Sequence, residues 1–143
     1  MDEIDKKLIK ILTHNARTPL KHLAQEVFLS SPAVSGRIDR LEATEIITGY
    51  KAEINYSKLG YNITAFINLV MAPEYKPSFT NYISTISNVV ECYNVAGAYS
   101  MLLKVYFTTT AELDTFVVAL QKFGKTQTQI VFSTVIQPRG INL

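Results

Sequence analysis

The sequence has one cysteine, two histidines and no hydrophobic run of membrane-spanning length. Each scarcity excludes something. Lone Cys92 leaves no intramolecular disulfide and no cysteine-rich zinc site, and between Val90 and Val95 it reads as a structural thiol on a strand. No apolar stretch approaches the roughly 18 residues of a membrane helix. The start, Met1-Asp2-Glu3-Ile4-Asp5, is acidic and lacks the apolar core of a secretory signal, so a cytoplasmic protein is expected. Residues 60–138 contain no histidine and no arginine, and their acids are Glu74, Glu91, Glu112 and Asp114. His14 and His22 have no ligand-spaced Cys or Asp nearby, and no glycine-rich loop follows a strand. No catalytic residue, metal site or cofactor is therefore expected, and the protein is not expected to be an enzyme. The formal net charge of +2 decides nothing about nucleic acid by itself, although Lys21, His22 and Arg37 collect cationic groups locally.

What is present begins with helical periodicity. Asp2 reads as the cap of a first helix, favoured by Glu3 and Asp5, with Ile4, Leu8, Ile11 and Leu12 on one stripe and an end near His14. Thr18-Pro19 opens a second, two-turn helix with Leu20, Leu23, Ala24 and Val27 inside. Phe28-Leu29 turns the chain. Ser30 or Ser31 caps a third helix with Pro32 in its first turn, Val34, Ile38 and Leu41 inside, and an end near Thr44. Two short amphipathic helices separated by a tight turn form the helix-turn-helix pattern, whose second helix enters the DNA major groove. A plain three-helix bundle for protein contacts fits the same periodicity. The small residues Ser31, Ser35 and Gly36 permit close approach to DNA, while Arg37 and Arg40 suit phosphate or guanine. Asp39 would repel phosphates unless it orients an arginine or accepts from a cytosine amine. Residues 46–54 predict a small β-ribbon turning near Thr48-Gly49, with Lys51 beside a phosphate; a connector strand is the alternative. The candidate DNA contacts are Thr18, Lys21, Ser30, Ser31, Pro32, Ser35, Gly36, Arg37, Arg40 and Lys51.

From residue 55 to 61 the chain reads as a linker. The period then switches to two: Ile63, Ala65, Ile67, Leu69 and Met71 alternate along a strand that Pro73 ends. Phe79, Tyr82, Ile83 and Ile86 define a one-sided helix. Strands follow at Val89–Val95 and Met101–Phe107, then a helix through Leu113, Phe116, Val117 and Leu120, then a strand at Thr126–Ile136. The order βαββαβ predicts a ferredoxin-like antiparallel sheet with both helices on one face. The other face, carrying Phe66 and Val70, would be left wet, so sheet-to-sheet dimerisation is expected. The expected organisation is a helical domain with a β wing over 1–54, a linker over 55–61 and a βαββαβ domain over 62–143.

In order and spacing the residues resemble the Lrp/AsnC family of feast/famine transcriptional regulators. The resemblance is carried by Asp5 with Ile9-Lys10-Ile11-Leu12, Ala16-Arg17-Thr18, Leu23-Ala24, Leu29-Ser30 with Val34, Arg37-Ile38 and Arg40-Leu41-Glu42, Ile47 with Gly49-Tyr50, and Leu59-Gly60-Tyr61. It continues through Val89-Val90-Glu91, Gly97-Ala98-Tyr99-Ser100 leading into Leu102-Leu103-Lys104-Val105, and Thr126-Gln127-Thr128. It implies an α+β protein with a winged helix-turn-helix and a RAM-type ferredoxin-like domain. It further implies binding to double-stranded DNA, homodimers assembling to tetramers or octamers, and an amino acid or related metabolite at an oligomer interface. The effector residues it implies are Gly97, Ala98, Tyr99, Ser100, Thr126, Gln127 and Thr128. Three departures stand out. Ser100 replaces the aspartate usual in the loop, exchanging a charge partner for a neutral hydroxyl. Phe28 and Glu45 occupy turn positions where the family favours glycine, which predicts strain or a different local shape. Two other readings stay open: a regulator that no longer senses and acts by DNA occupancy, and an enzyme similar to the siroheme decarboxylases, whose many-carboxylate substrate is poorly matched by Lys76, Lys104, Lys122, Lys125 and Arg139.

Overall fold

A computed structural model describes residues 1–141. Residues 1–53 form one compact unit, together with the tail from Ile136, and residues 54–135 form a second. The tail, expected with the sheet, thus packs with the helices; a Cβ on Gly140 would stand 2.3 Å from the Thr13 methyl.

The first unit contains α1 (Glu3–His14), α2 (Leu20–Val27) and α3 (Ser31–Ala43). Asp2 caps α1 in a capping box: its carboxylate accepts the Asp5 N–H, and the Asp5 carboxylate accepts the Asp2 N–H. Thr18 does not cap α2 as expected. Its hydroxyl donates to the Asn15 carbonyl at 2.7 Å, and Pro19, which needs no N–H partner, takes the cap position. Ser30 is the cap of α3. Leu8, Leu12, Leu23, Ala24, Val27 and Val34 close the core, with Ile38 and Ile47 packed on it.

The predicted β-ribbon is absent: among the described residues no strand lies between α3 and Ile63. The Ile46 and Ile47 N–H groups both donate to the Leu41 carbonyl, and Glu45 takes a left-handed φ of 56°. Ile46, Tyr50 and Ile54 are all about half exposed, so a hairpin here would bury no apolar face, and an isolated two-stranded ribbon is marginal in water. Among the described residues the helix-turn-helix has no wing of paired strands.

In the second unit Tyr56–Leu59 form a 3-10 turn capped by Asn55. The sheet comprises β1 (Ile63–Met71), β2 (Val89–Asn94), β3 (Met101–Phe107) and β4 (Gly124–Ile130), with α4 (Lys76–Ser84) and α5 (Thr110–Leu120) in the crossovers. The strand order is β2-β3-β1-β4, all antiparallel, which is the expected ferredoxin-like arrangement. Ala65, Ile67, Leu69 and Met71 of β1 and Met101, Leu103, Val105 and Phe107 of β3 alternate into one core with Phe79, Leu113, Phe116 and Leu120 from the helices. The last strand starts earlier and stops six residues earlier than predicted. Among the described residues its ladder partner is β1 alone, and the last bond, from the Val131 N–H to the Thr64 carbonyl at 2.8 Å, falls one residue from the start of β1. At its start, Gly124 crosses Val70 so closely that a Cβ would lie 1.8 Å from the Val70 carbonyl oxygen.

Candidate nucleic-acid interface and effector loop

The turn between α2 and α3 is three residues long, Phe28 to Ser30. It is made by Phe28 in the left-handed region (φ 55°), with the Leu29 N–H returning to the Ala24 carbonyl at 3.0 Å. The phenylalanine ring is 90% exposed, with the Lys7 ammonium 5.8 Å from its centroid. Both positions flagged for missing glycine, Phe28 and Glu45, are the two non-glycine residues with positive φ among those described.

On α3, Val34 and Leu41 face the core, and Pro32, Ala33, Gly36, Asp39 and Arg40 are exposed. Ser31 and Ser35 are half-buried, and nothing lies within 4 Å of where a Gly36 Cβ would be. Thr18 is half-buried at the approach to α2; Lys21 and Lys51 are exposed. Lys51 lies in an irregular segment rather than on a ribbon.

The two arginines of α3 are not free-standing. Arg37 Nη1 lies 2.7 Å from Asp2 Oδ2 and 2.7 Å from Asp5 Oδ1, and Arg40 Nη2 lies 2.8 Å from Asp5 Oδ2. The Asp5 side chain is 1% exposed, Arg37 24% and Arg40 58%. Burial opposes ionisation of Asp5, but the Arg37 hydrogen bond, the Asp2 N–H and the Arg40 charge outweigh it and hold the carboxyl below its ordinary range. Asp2 is held low as well, by the Asp5 N–H first and then by Arg37. In the sequence Asp5 registers as a favourable first-turn acid and as one piece of the resemblance, with no partner on α3. The signal for more was its place on the buried stripe, three residues before Leu8 and seven before Leu12, where an apolar residue is the rule. Further along, burial and then the 2.7 Å hydrogen bond to Glu42 push the Tyr50 phenol up to about 12.

The effector residues implied by the resemblance come together only in part. Gly97 (φ 124°) and Ala98 form the exposed loop before β3. The Tyr99 hydroxyl donates to Gln127 Oε1, joining that loop to β4. Gln127 pairs with Asn68, whereas Thr126 and Thr128 pair with Leu69 and Ile67 and so lie on the helix-bearing face. The strand pleat separates the two threonines from Gln127. The Ser100 hydroxyl accepts from the Met71 N–H and donates to the Met71 carbonyl, both at 3.2 Å, and the Ser100 N–H donates to Leu69 O. Its side chain therefore closes the end of β1.

The open sheet face presents Phe66 and Val70 from β1, Leu102 and Tyr106 from β3 and Tyr93 from β2, with Lys104 and Asn68 among them on the central strands and Glu91, Gln127 and Gln129 on the edge strands. Tyr56 stacks on Tyr106 at 4.6 Å between ring centroids.

Residues 1–42 match the AsnC-type helix-turn-helix domain and residues 64–141 the Lrp/AsnC ligand binding domain. The chain is 35% identical to the HTH-type transcriptional regulator LrpA of Bacillus subtilis, over 92% of this chain and 97% of that protein. It is 28% identical to the regulator LrpC of the same organism, over 98% and 97%. The solved LrpC structure superposes with a TM-score of 0.91, covering 96% of this chain and 99% of that one. A feast or famine regulatory protein of M. tuberculosis, solved in complex with L-methionine, superposes with a TM-score of 0.89 at 28% identity, over 99% of each chain.

Proposed function

Since the chain belongs to the Lrp/AsnC family of DNA-binding, HTH-type transcriptional regulators, we propose that it reads double-stranded DNA with the N-terminal half of α3 and answers to a small metabolite through its four-stranded domain. The observation that carries the DNA reading is the open space in front of Gly36, flanked by Ser31 and Ser35. A groove floor can approach that face of the helix without meeting a side chain. In this reading Ser30, Pro32, Arg37 and Arg40 border it, and Thr18, Lys21 and Lys51 serve as phosphate contacts that set register. The protein acts on cytoplasmic DNA as a regulator without catalysis.

The test is Gly36→Gln, read by fluorescence anisotropy on the protein's own promoter at physiological salt. Replacing a helix-interior glycine raises helix propensity by roughly 0.5–1 kcal/mol, so the fold is kept or strengthened. Affinity should nonetheless fall at least tenfold, about 1.4 kcal/mol. Unchanged affinity would sink this face as the reading surface.

For the effector we propose an amino acid or related metabolite held by Gly97, Ala98, Tyr99 and Ser100 with Thr126, Gln127 and Thr128 at an interface between copies. The methionine complex of the M. tuberculosis relative supports the ligand class. The open sheet face, which leaves Phe66, Val70, Leu102, Tyr93 and Tyr106 without a covering layer, supports a homodimer, and tetramers or octamers built from it. A second reading, regulation by DNA occupancy without sensing, is favoured by the Ser100 hydroxyl, whose one donor and one of whose acceptor sites are taken by Met71. A thermal-shift screen across the amino acids separates the two, because a ligand of the native state raises stability by mass action. A stabilising amino acid supports sensing; none supports occupancy.

A further inference from the structure

An ionised carboxylate buried at a core position is a costly choice. Replacing a buried ion pair by packed apolar residues is often neutral or stabilising, so the pair is poor evidence of a purely structural role. Position 5 continues the stripe of Leu8 and Leu12, and a leucine there would extend the core of the helical unit. Instead Asp5 is 1% exposed and spends its oxygens on the helix that carries the reading surface: Oδ1 on Arg37, Oδ2 on Arg40 and on the Asp2 N–H. Asp2 adds its own carboxylate to Arg37 and is held in place by the Asp5 N–H. The first turn of α1 is thus a two-carboxylate cradle for two guanidiniums one helical turn apart. Two negative charges face two positive ones, so the cluster sums to zero while the guanidiniums keep further N–H donors.

We propose that Asp5 is a positioning residue for DNA reading: it aims Arg37 and Arg40 and muffles their charge, so that they favour a matched operator over any phosphate backbone. This rests on the assignment of α3 as the reading helix. Without the Asp5 carboxylate Arg40 loses its partner and becomes a mobile unscreened cation, while Arg37 keeps only Asp2. Such cations bind phosphate without regard to sequence, and each contact adds to the salt dependence of binding.

The experiment uses the full chain with Asp5→Asn, Asp5→Leu, Arg37→Ala and Arg40→Ala. Affinity for the native promoter fragment and for a scrambled duplex is measured over a salt series, with thermal unfolding of each variant alongside. For both Asp5 variants the logarithmic salt slope should steepen by about 0.9 for the released Arg40, and further to the extent that Asp2 alone fails to hold Arg37. Binding to the scrambled duplex should tighten, and the promoter-to-scrambled ratio should fall about tenfold, the scale of one aimed base contact. Asp5→Leu should show this while remaining folded, even if Asp5→Asn does not. Wild-type slope and ratio in folded Asp5→Leu overturn the proposal, as does an equal loss on both duplexes with no change in slope, which marks a structural role alone. If the arginine variants weaken promoter binding in either case, the α3 assignment survives and only the positioning role falls. If they leave promoter binding unchanged, both fall.

Discussion

Phe28 and Glu45 hold left-handed backbone conformations, at φ 55° and 56°, that L-residues with a Cβ adopt at a cost of roughly 1–2 kcal/mol. Glycine escapes that cost but loses more freedom on folding, about 0.5–1 kcal/mol relative to alanine. The difference leaves glycine ahead of alanine by about 0.5–1 kcal/mol at each site, opposite in sign to an ordinary helix position. Comparing Gly with Ala removes the side chain in both variants and isolates the backbone. That matters at Phe28, where the Lys7 cation–π contact at 5.8 Å is lost either way. The ring is 90% exposed, so little burial is sacrificed. Among the described residues Glu45 makes no side-chain hydrogen bond or ion pair, so Glu45→Gly should also exceed the parent protein. Urea denaturation of Phe28→Gly, Phe28→Ala, Glu45→Gly and Glu45→Ala reads the differences directly. Alanine equal to or more stable than glycine at both positions would refute the reasoning.

Gly124→Ala should destabilise the sheet unit by about 2–4 kcal/mol, because its Cβ would fall 1.8 Å from the rigid Val70 carbonyl oxygen; a loss under about 0.5 kcal/mol in urea would contradict that contact. Acid should weaken the helical unit. The folded-state pKa values of Asp2 and Asp5 lie below their unfolded values, so their contribution is complete above the ordinary carboxylate pKa near 4 and is lost as pH falls through the lower folded values. Circular dichroism should show Asp5→Leu losing less stability than the parent over that acid range; parallel curves would contradict the assignment. Spectrophotometric titration should place one tyrosine near 12, and Glu42→Gln should lower it by removing the charge beside Tyr50; an unchanged curve would remove that hydrogen bond. Light scattering at micromolar concentration should show an even oligomer, reduced by Phe66→Glu on the open sheet face; a monomeric parent protein would contradict the dimer.

The order of elements was legible because hydrophobic periodicity is local. Leu8 and Leu12 share a stripe whatever the rest of the chain does, and Ala65, Ile67 and Leu69 share a sheet face for the same reason. The strained turns were legible only through the resemblance, since it is the family's preference for glycine that marks Phe28 and Glu45 as costly. The β-ribbon and the last strand were misread where the pattern needed a partner. Alternating residues over 46–54 had no second strand and no face to bury, and β4 ended where β1 ran out.

By itself, then, the sequence determined the three helices and the βαββαβ order, consequences of side-chain spacing along single helices and strands, and its motifs carried the resemblance to the family. Only the tertiary structure decided where the polar groups spend their hydrogen bonds. It sent Arg37 and Arg40 to a carboxylate more than thirty residues away, set Thr126 and Thr128 across the pleat from Gln127, and closed Ser100 onto Met71. The reason is physical: apolar burial follows a repeating pattern, whereas a hydrogen bond or ion pair follows the one neighbour that the folded chain brings within reach.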